Sequence, residues 1–126
     1  MATNLRTGAL LQNGKYKIEK MLGQGGFGIT YLAKDFAWGE RGRIVAVKEF
    51  MPSHYCTRRG DTKTVCPNPD QKARRVYEHG RQKFIEEART LSELRKNSIV
   101  VDVLQFFQEN NTAYLVMEYL DGGDLR

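Results

Sequence analysis

From Tyr16 the chain alternates: Tyr16 and Ile18 fall on one side, Lys15, Lys17 and Glu19 on the other. A period of two predicts a strand running to Leu22. A glycine cluster follows, and then Ile29-Thr30-Tyr31-Leu32-Ala33-Lys34, which is again strand-like and near enough to pair with the first across the glycines. Phe36–Gly42 reads as a turn, and Arg43–Phe50 as a third strand ended by Pro52. The stretch from Pro52 to Pro69 is loop-like, with a small side hairpin expected between Tyr55–Arg58 and Lys63–Cys66. Asn68-Pro69-Asp70 predicts a helix start, Asn68 as cap and Pro69 in the first position. Phe84, Ala88, Leu91 and Leu94 recur at helical spacing and define one buried stripe. Gly80 is expected to divide a short leading helix from a main one over Arg81–Lys96. Two more strands, Ile99–Gln108 and Thr112–Leu120, meet at the turn pair Asn110-Asn111. Met1–Gly14 reads as a flexible lead-in with an apolar patch at Leu10–Leu11. The expected class is α+β: a five-stranded antiparallel sheet with one main helix, in the order β-β-β-α-β-β.

Length and composition narrow the possibilities. The 126 residues make one domain's worth of chain, with 40% hydrophobic residues for a core. A net charge of +5, with signs interleaved along the chain, suits an anionic ligand and argues little for nucleic acid. No apolar run reaches the roughly 20 residues of a membrane span, and the start lacks the apolar stretch of a secretory signal. Two cysteines, Cys56 and Cys66, are too few for a disulfide scaffold, so a reduced, cytoplasmic setting is expected.

Three places carry chemistry. Gly23-x-Gly25-x-x-Gly28 suits three readings: a dinucleotide fold, a nucleotide-triphosphatase phosphate loop and a kinase glycine-rich loop. The first needs a helix directly after the glycines, but Ile29-Thr30-Tyr31-Leu32 is β-branched and aromatic. The second needs Gly-Lys-Ser/Thr, and Ile29 follows Gly28 instead. A plain hairpin turn rarely needs four glycines, whereas a backbone closing its N–H groups over phosphates does. In Val45-Ala46-Val47-Lys48, Ala46 and Lys48 point to one face of a strand; a flat base can lie on Ala46 while the ammonium reaches phosphate oxygens. Taken alone, that segment is an ordinary half-exposed strand, but it stands twenty residues beyond a glycine hairpin. Glu87 lies beside the buried stripe, and Glu86 turns about 100° away from it, so Glu87 is the carboxylate placed to pair with Lys48.

Together these features resemble the amino-terminal, ATP-binding lobe of a eukaryotic-type bacterial serine/threonine protein kinase. The resemblance is carried by Leu22-Gly-Gln-Gly-Gly-Phe-Gly-Ile-Thr-Tyr31, Val45–Lys48, Phe84-Ile-Glu-Glu-Ala-Arg-Thr-Leu91, Asn97-Ser98-Ile99-Val100, and Tyr114 to Asp124. It covers about Tyr16 to Arg126 and implies a kinase lobe over 15–126, with an insertion at about 52–75. Thr30 stands where the family usually has Val, and its γ-methyl can make the same contact with the base.

The resemblance implies roles. The loop Gly23, Gln24, Gly25, Gly26, Phe27, Gly28 and Ile29 lies over ATP, with Gly25–Gly28 covering the phosphates. Leu22, Thr30 and Ala46 enclose the adenine, Lys48 holds the α/β-phosphates, and Glu87 orients Lys48. Met117 stands behind the base, the backbone of Glu118 and Leu120 bonds its edge, and Asp124 reaches the ribose. The 126 residues contain neither a His-Arg-Asp loop nor Asp-Phe-Gly, which supply the catalytic base and magnesium ligands. They are therefore expected to be part of a longer kinase and inactive alone, with magnesium held by residues elsewhere. The alternative is a pseudokinase or adaptor that binds nucleotide or partners without catalysis. The expected partners are ATP and a protein substrate, with no nucleic acid and no membrane contact. Self-association is expected through an apolar face around Leu22, Met117, Leu120, Leu91 and Leu94. Cys56 and Cys66 with His54 and His79 show no paired metal-ligand spacing, so no metal site is expected. The interleaved Arg74, Arg75, Glu78, Arg81, Lys83, Glu86, Glu87 and Arg89 read as a solvated, ion-paired helix face.

Overall fold

A computed structural model describes residues 4–59, 63–94 and 103–119, the side chains of Trp38 and Leu94 excepted. Among the described residues eight strands and one long helix follow in the order β1 (Leu10–Leu11), β2 (Tyr16–Gln24), β3 (Gly28–Asp35), β4 (Arg43–Phe50), β5 (Cys56–Arg58), β6 (Val65–Pro67), α1 (Gln71–Leu94), β7 (Val103–Glu109) and β8 (Thr112–Glu118). The main sheet is antiparallel and ordered β1-β2-β3-β4-β8-β7, with β5 and β6 as a separate ribbon. A short 3₁₀ turn, Phe36–Trp38, sits between β3 and β4, and the Asp35 carboxylate accepts from the Ala37 N–H at its start.

The sheet has six strands, one more than the alternation predicts. The additional strand is Leu10–Leu11, in the stretch read as a lead-in. There Leu11 is wholly buried while Leu10 is 46% exposed, and Leu5 is buried too. The Gly8 N–H donates to the Ile18 carbonyl, and the Ile18 N–H to that of Ala9, which ties residues 8–11 to β2. Gln12 and Asn13 turn the chain with φ of 54° and 55°, and Gly14 follows at 88°. At the other end of the sheet Asn110 and Asn111, at φ 56° and 61°, form a two-residue turn whose positive φ asparagine adopts more readily than other residues with a Cβ.

The helix corrects two expectations. It starts at Gln71, and its cap is Asp70, whose carboxylate accepts from the Ala73 N–H at 3.1 Å. Asn68 steps back to hold the Asp70 N–H at 2.9 Å. Gly80 does not divide the helix, which is continuous for 24 residues. Glycine costs about 1 kcal/mol in a helix interior, and the reason for it here is contact. A Cβ on Gly80 would meet the Phe50 ring at 2.9 Å. Phe50 in turn packs between Tyr77 and Phe84, at ring separations of 5.4 and 5.8 Å.

Strand alternation gives the sheet two faces. Ala46, Lys48 and Phe50 of β4 point toward α1; here Ala88, Val103 and Leu115 form a small core with Phe84, Phe106 and Met117 against it. Val45, Val47 and Glu49 point the other way, into a larger core with Ile18, Ile29, Tyr31, Ala33, Tyr114 and Val116. Leu5 and Leu11 from the amino-terminal segment cover that outer face, with Cys56 and Val65 from the ribbon beside them. The Lys63 ammonium bonds the Leu10 carbonyl, which joins the two covers.

Candidate functional site

The cleft face of β2–β4 and the facing side of α1 enclose a depression of about 810 Å³. Gly23, Gln24, Gly25, Phe27, Gly28, Thr30, Lys48, Phe50, Gly80, Lys83, Phe84 and Glu87 line it. Register accounts for this gathering: Thr30 pairs with Lys48 and Gly28 with Phe50, so β3 and β4 present alternate residues side by side. The fold thus brings the glycine segment, the strand lysine and the helix carboxylate to one place. Lys48 and Glu87 are both exposed, and no hydrogen bond or ion pair joins them. Of the two neighbouring glutamates, Glu87 faces this cleft. Glu86 turns to the helix surface, where its carboxylate accepts from Gln82 at 3.4 Å.

The glycines have different reasons to be glycine. A Cβ on Gly28 would stand 2.9 Å from the Glu49 carbonyl oxygen, so β3 and β4 approach each other too closely for a side chain. Gly23, Gly25 and Gly26 have nothing within 4 Å of a Cβ, and none of the three has positive φ. Packing within the lobe therefore does not require them. The loop is pinned at its base by the Gly25 N–H to the Gly28 carbonyl and by the Met51 N–H to the Phe27 carbonyl. Its tip, Phe27, is 70% exposed.

The other expected residues divide. Ala46 is buried on the cleft face, Leu22 is 40% exposed at the loop's entrance, and Met117 is half-buried against the small core. The Ile29 side chain departs from the expectation. It is wholly buried in the outer-face core, because one step along β3 from Thr30 reverses the face. The Glu118 carboxylate pairs with Arg43 at 3.2 Å, with both side chains about two-fifths exposed. Leu120 and Asp124 lie outside the described residues, as do Asn97–Val100.

Sequence reasoning missed a buried charged cluster behind the cleft. The Glu49 carboxylate is wholly buried on the outer face. It accepts from the Tyr31 hydroxyl at 2.8 Å, the Tyr114 hydroxyl at 2.6 Å and the Arg58 guanidinium at 2.6 Å. Tyr31 accepts in turn from the Leu5 N–H, and Tyr114 from the Asn110 amide, both at 2.9 Å. Burial pushes both phenols up, and the Glu49 charge beside them adds to the shift. For Arg58 burial acts downward, and the Glu49 charge and hydrogen bond more than offset it. Glutamate at an outward position of β4 could have flagged a buried polar site, but nothing in the alternation named its partners.

On the ribbon, Cys56 pairs with Pro67 and Cys66 with Thr57, so the two thiols stand on opposite faces and both are free. Among the described residues no three His, Cys, Asp or Glu side chains gather as metal ligands. No described helix is long and apolar enough to cross a membrane.

Comparison with known proteins agrees with this geometry. No family model matches the chain. Serine/threonine-protein kinase B of Synechocystis is 32% identical over 93% of the chain, and serine/threonine-protein kinase PknA of Nostoc is 32% identical over 91%. The chain spans about 17% of the length of each. Among solved structures, the one titled "PpkA-294 apo form" superposes with a TM-score of 0.79 and 30% identity. That match covers 94% of this chain and 39% of the other. The chain is thus homologous to a portion of bacterial serine/threonine protein kinases, and its fold is that of their amino-terminal lobe.

Proposed function

We propose that this chain is the ATP-binding lobe of a serine/threonine protein kinase. The observation that carries the reading is the convergence of Gly23–Gly28, Lys48 and Glu87 on one cleft. Loop glycines that the lobe's own packing does not require let the loop backbone approach phosphate oxygens with no side chain in the way. Lys48 supplies a point charge at the α/β-phosphates, and Glu87 turns that ammonium toward them. Thr30, Ala46 and Leu22 enclose the adenine, with Met117 behind it, and the backbone of Glu118 and Leu120 bonds its edge. Asp124 takes the ribose.

In the longer protein the γ-phosphoryl group passes to a Ser or Thr hydroxyl of a protein substrate. A catalytic base and magnesium ligands outside these 126 residues complete the site. By themselves the 126 residues bind ATP weakly and transfer no phosphate. Solvation of both Lys48 and Glu87 fits a lobe whose pair closes only when the other wall of the cleft and the nucleotide are present. The same open pair is what a nucleotide-binding pseudokinase would show, and phosphate transfer by the longer protein separates the two readings. The reading also places the protein in the cytoplasm, with no nucleic-acid or membrane contact from this lobe. Leu22 and Leu91, exposed beside the cleft, give the isolated lobe a surface for self-association.

Titration with ATP, followed by backbone amide shifts, tests the site. Shifts should cluster at Gly23–Gly28, Thr30 and Lys48, and Lys48→Met should weaken binding without unfolding the chain. Shifts scattered away from the cleft, or unchanged binding by Lys48→Met, would overturn the assignment.

A further inference from the structure

Glu49 belongs to both sides of the sheet. Its carboxylate lies buried on the outer face, while its carbonyl is the atom against which Gly28 packs, and Lys48 precedes it on β4. Three donors converge on that carboxylate from three elements: Tyr31 on β3, Tyr114 on β8 and Arg58 on β5. β3, β4 and β8 also carry Thr30, Lys48 and Met117 on the cleft side. Arg58 ties the ribbon into the cluster, since its other terminal nitrogen donates to the Lys63 carbonyl at 2.7 Å. Its side chain is 5% exposed and that of Glu49 is 0%.

An ion pair so dry is a poor source of net stability, because apolar residues of the same volume commonly serve as well. What it supplies is direction: each donor fixes one strand against one carboxylate, and each tyrosine hydroxyl both donates and accepts, which stiffens the chain of bonds.

We propose that Arg58 and Glu49 are positioning residues for the phosphate site. On this proposal the β5–β6 ribbon is a brace that holds Lys48 and the exit of the glycine loop in register from behind the sheet. The proposal rests on the ATP-binding reading above. It assigns a role to the β5–β6 ribbon, whose Cys56 and Val65 also cover the outer-face core.

The test compares ATP with adenosine, since a brace for the phosphate site acts on the first ligand and not the second. Affinities of both are measured by amide-shift titration for the chain, for Lys48→Met, and for the double variant Glu49→Gln/Arg58→Met. The double variant removes both buried charges and keeps an acceptor for the tyrosines. It should melt cooperatively, bind adenosine as before, and lose ATP affinity about tenfold, the worth of one charge-assisted contact. Tyr31→Phe and Tyr114→Phe each remove one donor and keep the ion pair, so they remain informative if the double variant fails to fold. Each should lose ATP preference by about two- to threefold. A folded double variant, or both tyrosine variants, with the original ATP-to-adenosine ratio would overturn the brace. Equal losses for ATP and adenosine would also overturn it, by reducing the cluster to a structural role. If the unaltered chain shows no ATP preference that depends on Lys48, the ATP-binding reading falls first and the brace with it.

Discussion

Leu10 and Leu11 are chemically identical neighbours, and the structure assigns them opposite consequences. Leu11 is fully buried in the outer-face core beside Tyr16 and Ile18, whereas Leu10 is 46% exposed at the sheet edge. Truncating a wholly buried leucine removes its transfer free energy and leaves a cavity, a loss of about 2–5 kcal/mol. Leu11 sits on a two-residue edge strand that can shift to fill part of the space, so the lower half of that range is expected. Leu10→Ala removes little buried area and should fall within about 0.5 kcal/mol of the unaltered chain. With a urea slope of about 1–3 kcal/mol/M for a small domain, Leu11→Ala should lower the unfolding midpoint by about 0.7 M or more. Leu10→Ala should leave it nearly unchanged. Urea unfolding of the three proteins, followed by far-ultraviolet circular dichroism at constant slope, measures the difference. Equal midpoints for the two variants would refute the packed β1 strand, and with it the claim that residues 4–14 complete the core.

Glycine substitutions should separate packing from phosphate contact. Gly28→Ala, whose Cβ meets the Glu49 carbonyl at 2.9 Å, should cost about 1–3 kcal/mol by overpacking, read from urea midpoints. Gly25→Ala, which has open space around it, should leave stability alone and weaken ATP in the shift titration. Thiol labelling at pH 8 should modify the half-buried Cys66 and spare Cys56, whose thiol burial pushes up to about 12; mass spectrometry that finds both labelled equally in folded protein would contradict the ribbon's docking. Alkaline stability follows the same groups. Cys56, Tyr16, Tyr31 and Tyr114 all hold their protons more tightly folded than unfolded. Their contribution is therefore complete below the unfolded values of about 8.5–10 and is lost as pH rises past them. Urea midpoints should fall steadily from pH 9 to 11, and a flat profile would contradict the buried phenols.

The local pattern was enough for the strands of the main sheet on either side of the glycines, for the third strand over Arg43–Phe50, and for the buried helix position at Ala88, but Leu91 of the same expected stripe is 38% exposed. Each reflects a period that side-chain geometry imposes wherever one face is buried. The gathering of the glycine segment, Lys48 and Glu87 on one cleft was legible for the same reason, since spacing along a strand or helix fixes which residues share a face. Two-residue β1 has no period to read, so Leu10–Leu11 passed for a lead-in until its contacts with β2 were seen. Gly80 carried the breaker signal of any glycine, and only the Phe50 ring against it explains an unbroken helix. The resemblance puts both Ile29 and Thr30 at the nucleotide, although one residue of pleat sends their side chains to opposite sides of the sheet. The tertiary structure alone decided that Glu49, Arg58, Tyr31 and Tyr114 meet. Four residues on four strands, 83 positions apart from first to last (114 − 31), share no local period. A buried charge takes whatever donors the packed strands bring within reach, and that choice is made in three dimensions.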